Sequence, residues 1–266
     1  MKQILFKITV YFSLFYFAHI TCAQTVFIVI HGTWAAQEQW YMPGGNFFNA
    51  LEKSAIQQQA AVTPYRWSGN NNYKDRIHAA KGLVQLIQSY SPDTTICLVT
   101  HSHGGNVGII ASQLLAHTPT TTNHIHIFYA LGTPVNTTNY QPNMNMITYF
   151  YNLFSFEDLI QPVLGFFERE YLPHERIANI RITINNKEPS HTQLHNPLVG
   201  QWLPLLHEIL TSFQDFDFKT PSIIHFAENK KLIYEIDKRR KKLLERDRLL
   251  NKMILTTLFR NPQHFV

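Results

Sequence analysis

Residues 25–30 form an unbroken run of β-branched and aromatic side chains, the pattern of a strand covered on both faces. Residues 95–100 repeat that pattern and residues 124–131 give a third such run. Weaker strand patterns occupy 146–153 and 180–184, and 62–67 reads as another strand. Between them, helical spacing of apolar positions predicts helices over 47–58, 73–90, 105–117 and 198–213. Strand–helix alternation of this kind predicts an α/β fold, a mostly parallel sheet with helices on both faces. No internal repeat is visible.

The texture changes after residue 226. Leu232, Ile236, Leu243, Leu250, Ile254 and Leu258 recur at steps of four or seven between basic positions. That spacing predicts a long amphipathic helix, joined to the core through 215–222 with Pro221 as a break. The expected organisation is therefore a signal peptide over 1–23, a core domain over 24–215 and a basic helical extension over 216–266.

Charge sharpens this division. The chain carries a net +5, yet 226–260 alone holds eleven Lys/Arg against five Asp/Glu. The basic character belongs to the tail, so it says little about what the core binds, and no nucleic-acid partner is expected. At the other end, Lys2 and Lys7 precede an apolar run over 8–20, and Thr21-Cys22-Ala23 supplies small residues before an expected cut after Ala23. Export to the periplasm, cell envelope or exterior follows from that pattern, with an uncleaved anchor as the alternative. Removal of the leader would leave Cys97 as the one cysteine, in an apolar strand where a small buried thiol is the ordinary reading.

The strongest chemical signal is Thr100-His101-Ser102-His103-Gly104-Gly105, set directly between a predicted buried strand and a predicted helix. A serine on so tight a turn is pushed out at the top of the sheet, and the helix that follows aims its N-terminal amides at any oxyanion beside it. Thr100 stands where the usual Gly-x-Ser-x-Gly pattern has its first glycine.

With these motifs the chain resembles the α/β-hydrolase superfamily, and within it the lipase/esterase branch, over residues 25–213. His31-Gly32-Thr33-Trp34 after the first strand is similar to the His-Gly-x loop of that branch, and Leu131-Gly132-Thr133-Pro134 to a second loop. Trp67-Ser68-Gly69-Asn70 with Arg76 fits the same setting without an assigned chemistry. The resemblance implies a Ser–acid–His triad in that chain order, and an oxyanion hole made by the backbone N–H groups of Thr33 and His103.

The acid is expected just after the strand over 147–153, at Asp158, with Glu157 as the rival. The base is expected on the loop before Pro197, at His191, with His195 as the rival. In this reading His191 takes the proton of Ser102, Asp158 holds the imidazole tautomer, and water later releases the acyl group. No cofactor or metal is called for. A zinc site from His31, His101 and His103 is the other reading of the same residues. The short stretches 135–145 and 159–176 predict no large apolar lid, so an interface-activated lipase is not expected; the expected substrate is a small-molecule or lipid ester, with a short-chain or general carboxylic ester foremost. Two further readings stay open: a catalytically silent binding protein on the same fold, and peripheral membrane contact through the basic tail.

Overall fold

In the computed structural model the described residues are 24–118, 123–164, 168–228 and 231–238. Eight strands form one sheet in the order β2-β1-β3-β4-β5-β6-β7-β8. They are β1 (Thr25–Ile30), β2 (Ala60–Tyr65), β3 (Thr95–His101), β4 (Ile125–Leu131), β5 (Ile147–Phe154), β6 (Ile177–Ile184), β7 (Ser222–Ala227) and β8 (Lys231–Ile236). All neighbours are parallel except β8, which runs back along β7. The helices are α1 (Asn46–Gln57), α2 (Tyr73–Ser89), α3 (His103–Ala116), the short α4 (Ile160–Leu164) and α5 (Pro197–Ser212), with a 3₁₀ turn at His191–His195.

Strand side chains alternate between two cores. Val26, Ile28, Ile30, Leu98, Phe128 and Phe150 pack with Leu83, Ile87, Val107 and Ile110 of α2 and α3. Phe27, Val29, Cys97, Val99, Tyr129 and Leu153 pack with Phe47, Leu51, Leu203 and Leu206 of α1 and α5. This two-sided burial is why the central strands read as continuous apolar runs. Burial pushes the Cys97 thiol up to about 12, so it is an inert core residue. Helix starts follow local chemistry: Asn72 caps α2 through Asp75 N, and Asn196 caps α5 through Leu198 N with Pro197 as its first residue.

The C-terminal region departs from expectation. The sheet does not stop at 215, and the amphipathic helix expected from residue 226 does not begin there. Instead β7 and β8 add a hairpin to the sheet edge. Ile224 and Phe226 are fully buried against the α5-side core, where Leu232 and Tyr234 join them. Over Lys231–Ile236 a strand stands in place of the expected helix, because a step of four, Leu232 to Ile236, suits a strand as well: with Tyr234 between them, those positions share one face at period two. The remainder of that predicted helix, beyond residue 238, and the predicted signal over 1–23 lie outside the described residues. Among the described residues no helix is long and apolar enough to cross a membrane.

A chain ending at Pro221 loses β7 and β8 and uncovers Ile180 and Ile182. Each lost core side chain forfeits about 1.5–3 kcal/mol, so the truncated protein is expected to be insoluble or to unfold at much lower urea than the full chain. Equal urea midpoints would show the hairpin to be dispensable.

Candidate active site

Ser102 sits between β3 and α3 with φ 54° and ψ −135°. An L-residue held there is strained by about 1–3 kcal/mol, so the surroundings must impose it. They do so through Ser102 N–H donating to Leu131 O at 3.0 Å and Gly105 N–H donating to Ser102 O at 2.9 Å. The loop after β1 closes over the same turn. A Cβ on Gly32 would lie 2.7 Å from Ser102 Cβ, so that position has room for hydrogen only. Thr33, next in sequence, meets His103 side chain to side chain, with Oγ1 and Nδ1 2.7 Å apart. The two residues expected to line an oxyanion hole are thus joined.

Asp158 has no exposed surface, whereas Glu157 beside it is exposed. Asp158 Oδ1 accepts from the N–H groups of Ile160 and Gln161, both at 2.9 Å. Its Oδ2 accepts from His191 Nδ1 at 2.8 Å. A carboxylate can only accept, so His191 carries its proton on Nδ1 and presents a bare Nε2 when neutral. Gly132, at φ +57°, borders the pair: a Cβ there would overlap Leu194 and come within 2.8 Å of Asp158 Oδ2.

His195 does not reach Asp158. Its ring stacks on Trp40, centroids 4.4 Å apart, and sets its edge against His101. His101 in turn donates from Nε2 to the His191 carbonyl oxygen at 2.9 Å, which ties the residue before Ser102 to the loop bearing His191. These links were not visible in the sequence, since nothing in the chain order pairs positions ninety or more residues apart. His31 donates from Nδ1 to Gly32 O at 2.8 Å and accepts from Trp67 N–H at Nε2, 3.2 Å. Trp67 Nε1 also donates to His31 O, and Trp34 N–H to Gly69 O. The Trp67–Gly69 motif, which had no assigned chemistry, therefore braces the loop over 31–34. Arg76 donates from Nε to Tyr140 Oη at 3.1 Å.

Both ring nitrogens of His31 are engaged in these bonds, as are Nε2 of His101 and Nδ1 of His103. Among the described residues no group of three or more His, Cys, Asp or Glu is arranged to hold a metal ion.

Burial keeps the neighbouring imidazoles neutral. Desolvation, with Arg76 next, brings His103 down to about 3, and desolvation brings His195 to about 4. His31 is lowered by burial, and His101 is held well below its ordinary value by burial and by the His191 and His195 rings beside it.

No protein-family model matches the sequence, and no curated protein does. Solved structures overlap it in part. A putative hydrolase of the alpha/beta superfamily from Xanthomonas campestris pv. campestris is 11% identical over 72% of this chain and 99% of its own, with TM-score 0.44. A metagenomic carboxyl esterase is 13% identical over 62% and 51%, TM-score 0.37. A cutinase-like protein from Cryptococcus sp. is 18% identical over 42% and 55%, TM-score 0.34. The chain spans about half the length of the last two. These likenesses are loose. The fold itself is of the α/β-hydrolase type, defined by the strand order β2-β1-β3-β4-β5-β6 and the strained serine between β3 and α3.

The four lowered histidines around the site predict acid sensitivity. Their folded pKa values lie below the ordinary 6.5, so the unfolded chain takes up protons first as pH falls. Stability is expected to be full above pH 6.5 and to fall steadily from there towards pH 4. Urea midpoints measured from pH 8 to 4 check this, and a flat profile would contradict it.

Proposed function

We propose that the protein is a serine hydrolase that cleaves carboxylic esters, with Ser102 as nucleophile, His191 as base and Asp158 as the group that orients it. The observation that carries this reading is the His191 Nδ1–Asp158 Oδ2 bond at 2.8 Å, which leaves His191 Nε2 as the free basic nitrogen. It lies on loops that leave the same sheet end as the strained turn at Ser102.

His191 Nε2 takes the Ser102 proton as Oγ attacks the ester carbonyl, and Asp158 stabilises the imidazolium that forms. The developing oxyanion is met by the N–H groups of Thr33 and His103, the second at the positive end of α3. The proton then passes to the leaving alcohol, and water repeats the sequence on the acyl-enzyme. No step requires a metal or an organic cofactor. Exposed apolar side chains, Trp34 at 77% and Leu159 at 69%, adjoin Thr33 and Asp158 and favour an ester with an apolar acyl part. Among the described residues the segment around α4 builds no large lid, which favours small-molecule esters over a lipid interface. The N-terminal pattern of charged, apolar and small residues supports export.

A fluorophosphonate probe is expected to label the full-length protein at Ser102, as read by peptide mapping. Labelling that persists in Ser102→Ala would assign the nucleophile elsewhere. Replacing His191 by alanine is expected to cut p-nitrophenyl ester turnover by at least about 10³-fold. His195→Ala removes the ring stack on Trp40 and the edge contact with His101, and should stay within about tenfold of the parent. The reverse ranking would mean that His195 is the base.

A further inference from the structure

More than one hydrogen bond holds the loop that carries Asp158. Glu188 Oε2 accepts from Ser155 Oγ and from Phe156 N–H, both at 2.9 Å. The other carboxylate oxygen faces Arg181 Nε at 3.3 Å, and Arg181 Nη1 reaches Asp237 Oδ2 at 3.5 Å, just past the end of β8. Arg169 adds further bonds to the same loop: its Nη1 donates to the carbonyls of Ser155 at 2.7 Å and Asp158 at 2.6 Å, and Nη2 to that of Phe156 at 3.2 Å. The Asp158 carboxylate is left to Ile160, Gln161 and His191.

Glu188 precedes His191 on the same loop, between β6 and the 3₁₀ turn. One side chain therefore fastens the loop bearing His191 to the loop bearing Asp158, at a point away from the Asp158–His191 bond. A single hydrogen bond between two loops sets a distance but leaves the ring free to swing. A second fastening removes that freedom, and a reacting imidazole must be held within about 10–20° of its productive orientation.

We propose that Glu188 is a positioning residue for the Asp158–His191 pair, and that Arg181 ties its register to Asp237 of the C-terminal hairpin. The proposal rests on the triad reading above. It gives the hairpin a second consequence besides covering the core: the shape of the site depends on sequence beyond residue 221. Both ions of the Glu188–Arg181 pair are about one quarter exposed, so the pair alone adds little to stability. Its effect is expected in kcat rather than in folding.

The test compares Glu188→Ala and Glu188→Gln in the full-length protein, each also combined with Asp158→Asn. Turnover of p-nitrophenyl acetate and the low-field proton resonance of His191 Nδ1–H are both read. Glu188→Ala is expected to lower kcat about 10–100-fold with KM within about threefold. Glutamine keeps an oxygen for Ser155 and Phe156 and should recover most of the loss. In the Asp158→Asn background the alanine change should cost no more than about twofold, because the group it positions is already impaired. Ser155→Ala removes one donor without touching charge, and its expected fall of about 3–10-fold in kcat serves if Glu188→Ala folds poorly.

Wild-type kcat in Glu188→Ala, or an equal fold-loss in both backgrounds, would overturn the proposal. The resonance separates the two levels of inference. Should the parent protein show it yet turn over no ester, the hydrolase reading falls. Its loss or broadening in Glu188→Ala would even then support the positioning role, and its persistence unchanged would refute it.

Discussion

A carboxylate with no exposed surface dictates much of what surrounds it. Burying an unpaired charge costs several kcal/mol, so Asp158 has to be met by donors wherever the chain places it. Two come from the backbone at the start of α4, through Ile160 and Gln161, and the third is His191 Nδ1. Meeting them fixes where α4 begins, how the loop after β6 approaches, and that residue 132 after β4 carries no side chain. Three separate strand ends are thus registered around one pair of oxygens. The tautomer of His191 follows from the same constraint, since a carboxylate cannot donate.

The other histidines around the site work as neutral hydrogen-bonding and stacking pieces. His31 braces the loop after β1 through Gly32 and Trp67, His103 meets Thr33, His101 holds the His191 carbonyl, and His195 lies flat on Trp40. Burial keeps them uncharged near neutral pH, so they add no positive charge to compete with an imidazolium at His191. The helix α3 supplies its positive end at Ser102 instead, where it would oppose a developing oxyanion. A site crowded with imidazoles can in this way act with one of them.

The core of the fold was legible because strands buried on both faces leave long apolar runs, and each of β1, β3 and β4 did so. The turn at Ser102 was legible for a similar reason: a strained strand-to-helix connection tolerates few residues. Asp158 and His191 could be placed only on loops, with Glu157 and His195 as rivals; of these, Asp158 is the buried carboxylate and meets His191 at 2.8 Å, while His195 lies on Trp40. Tertiary ties such as Arg169 and Glu188 on the Asp158 loop left no trace, since an arginine and a glutamate in loops carry no periodicity. The tail misled because Leu232 and Ile236 satisfy helical and strand spacing together, and only the sheet edge offered by β6 and β7 decides between them. Tyr234, stacked on Phe213, was the overlooked sign of period two.

In the proposed function Ser102, the N–H groups of Thr33 and His103, and the Asp158–His191 pair act on one reacting carbon. A crystal structure of the protein after reaction with an alkyl phosphonate tests this most directly, because the tetrahedral phosphorus mimics that carbon. Phosphorus bonded to Ser102 Oγ is predicted, with one phosphoryl oxygen within about 3 Å of both Thr33 N and His103 N and the ester-side oxygen facing His191 Nε2. A phosphoryl oxygen turned away from Thr33 and His103, or phosphorus on any other residue, would contradict it.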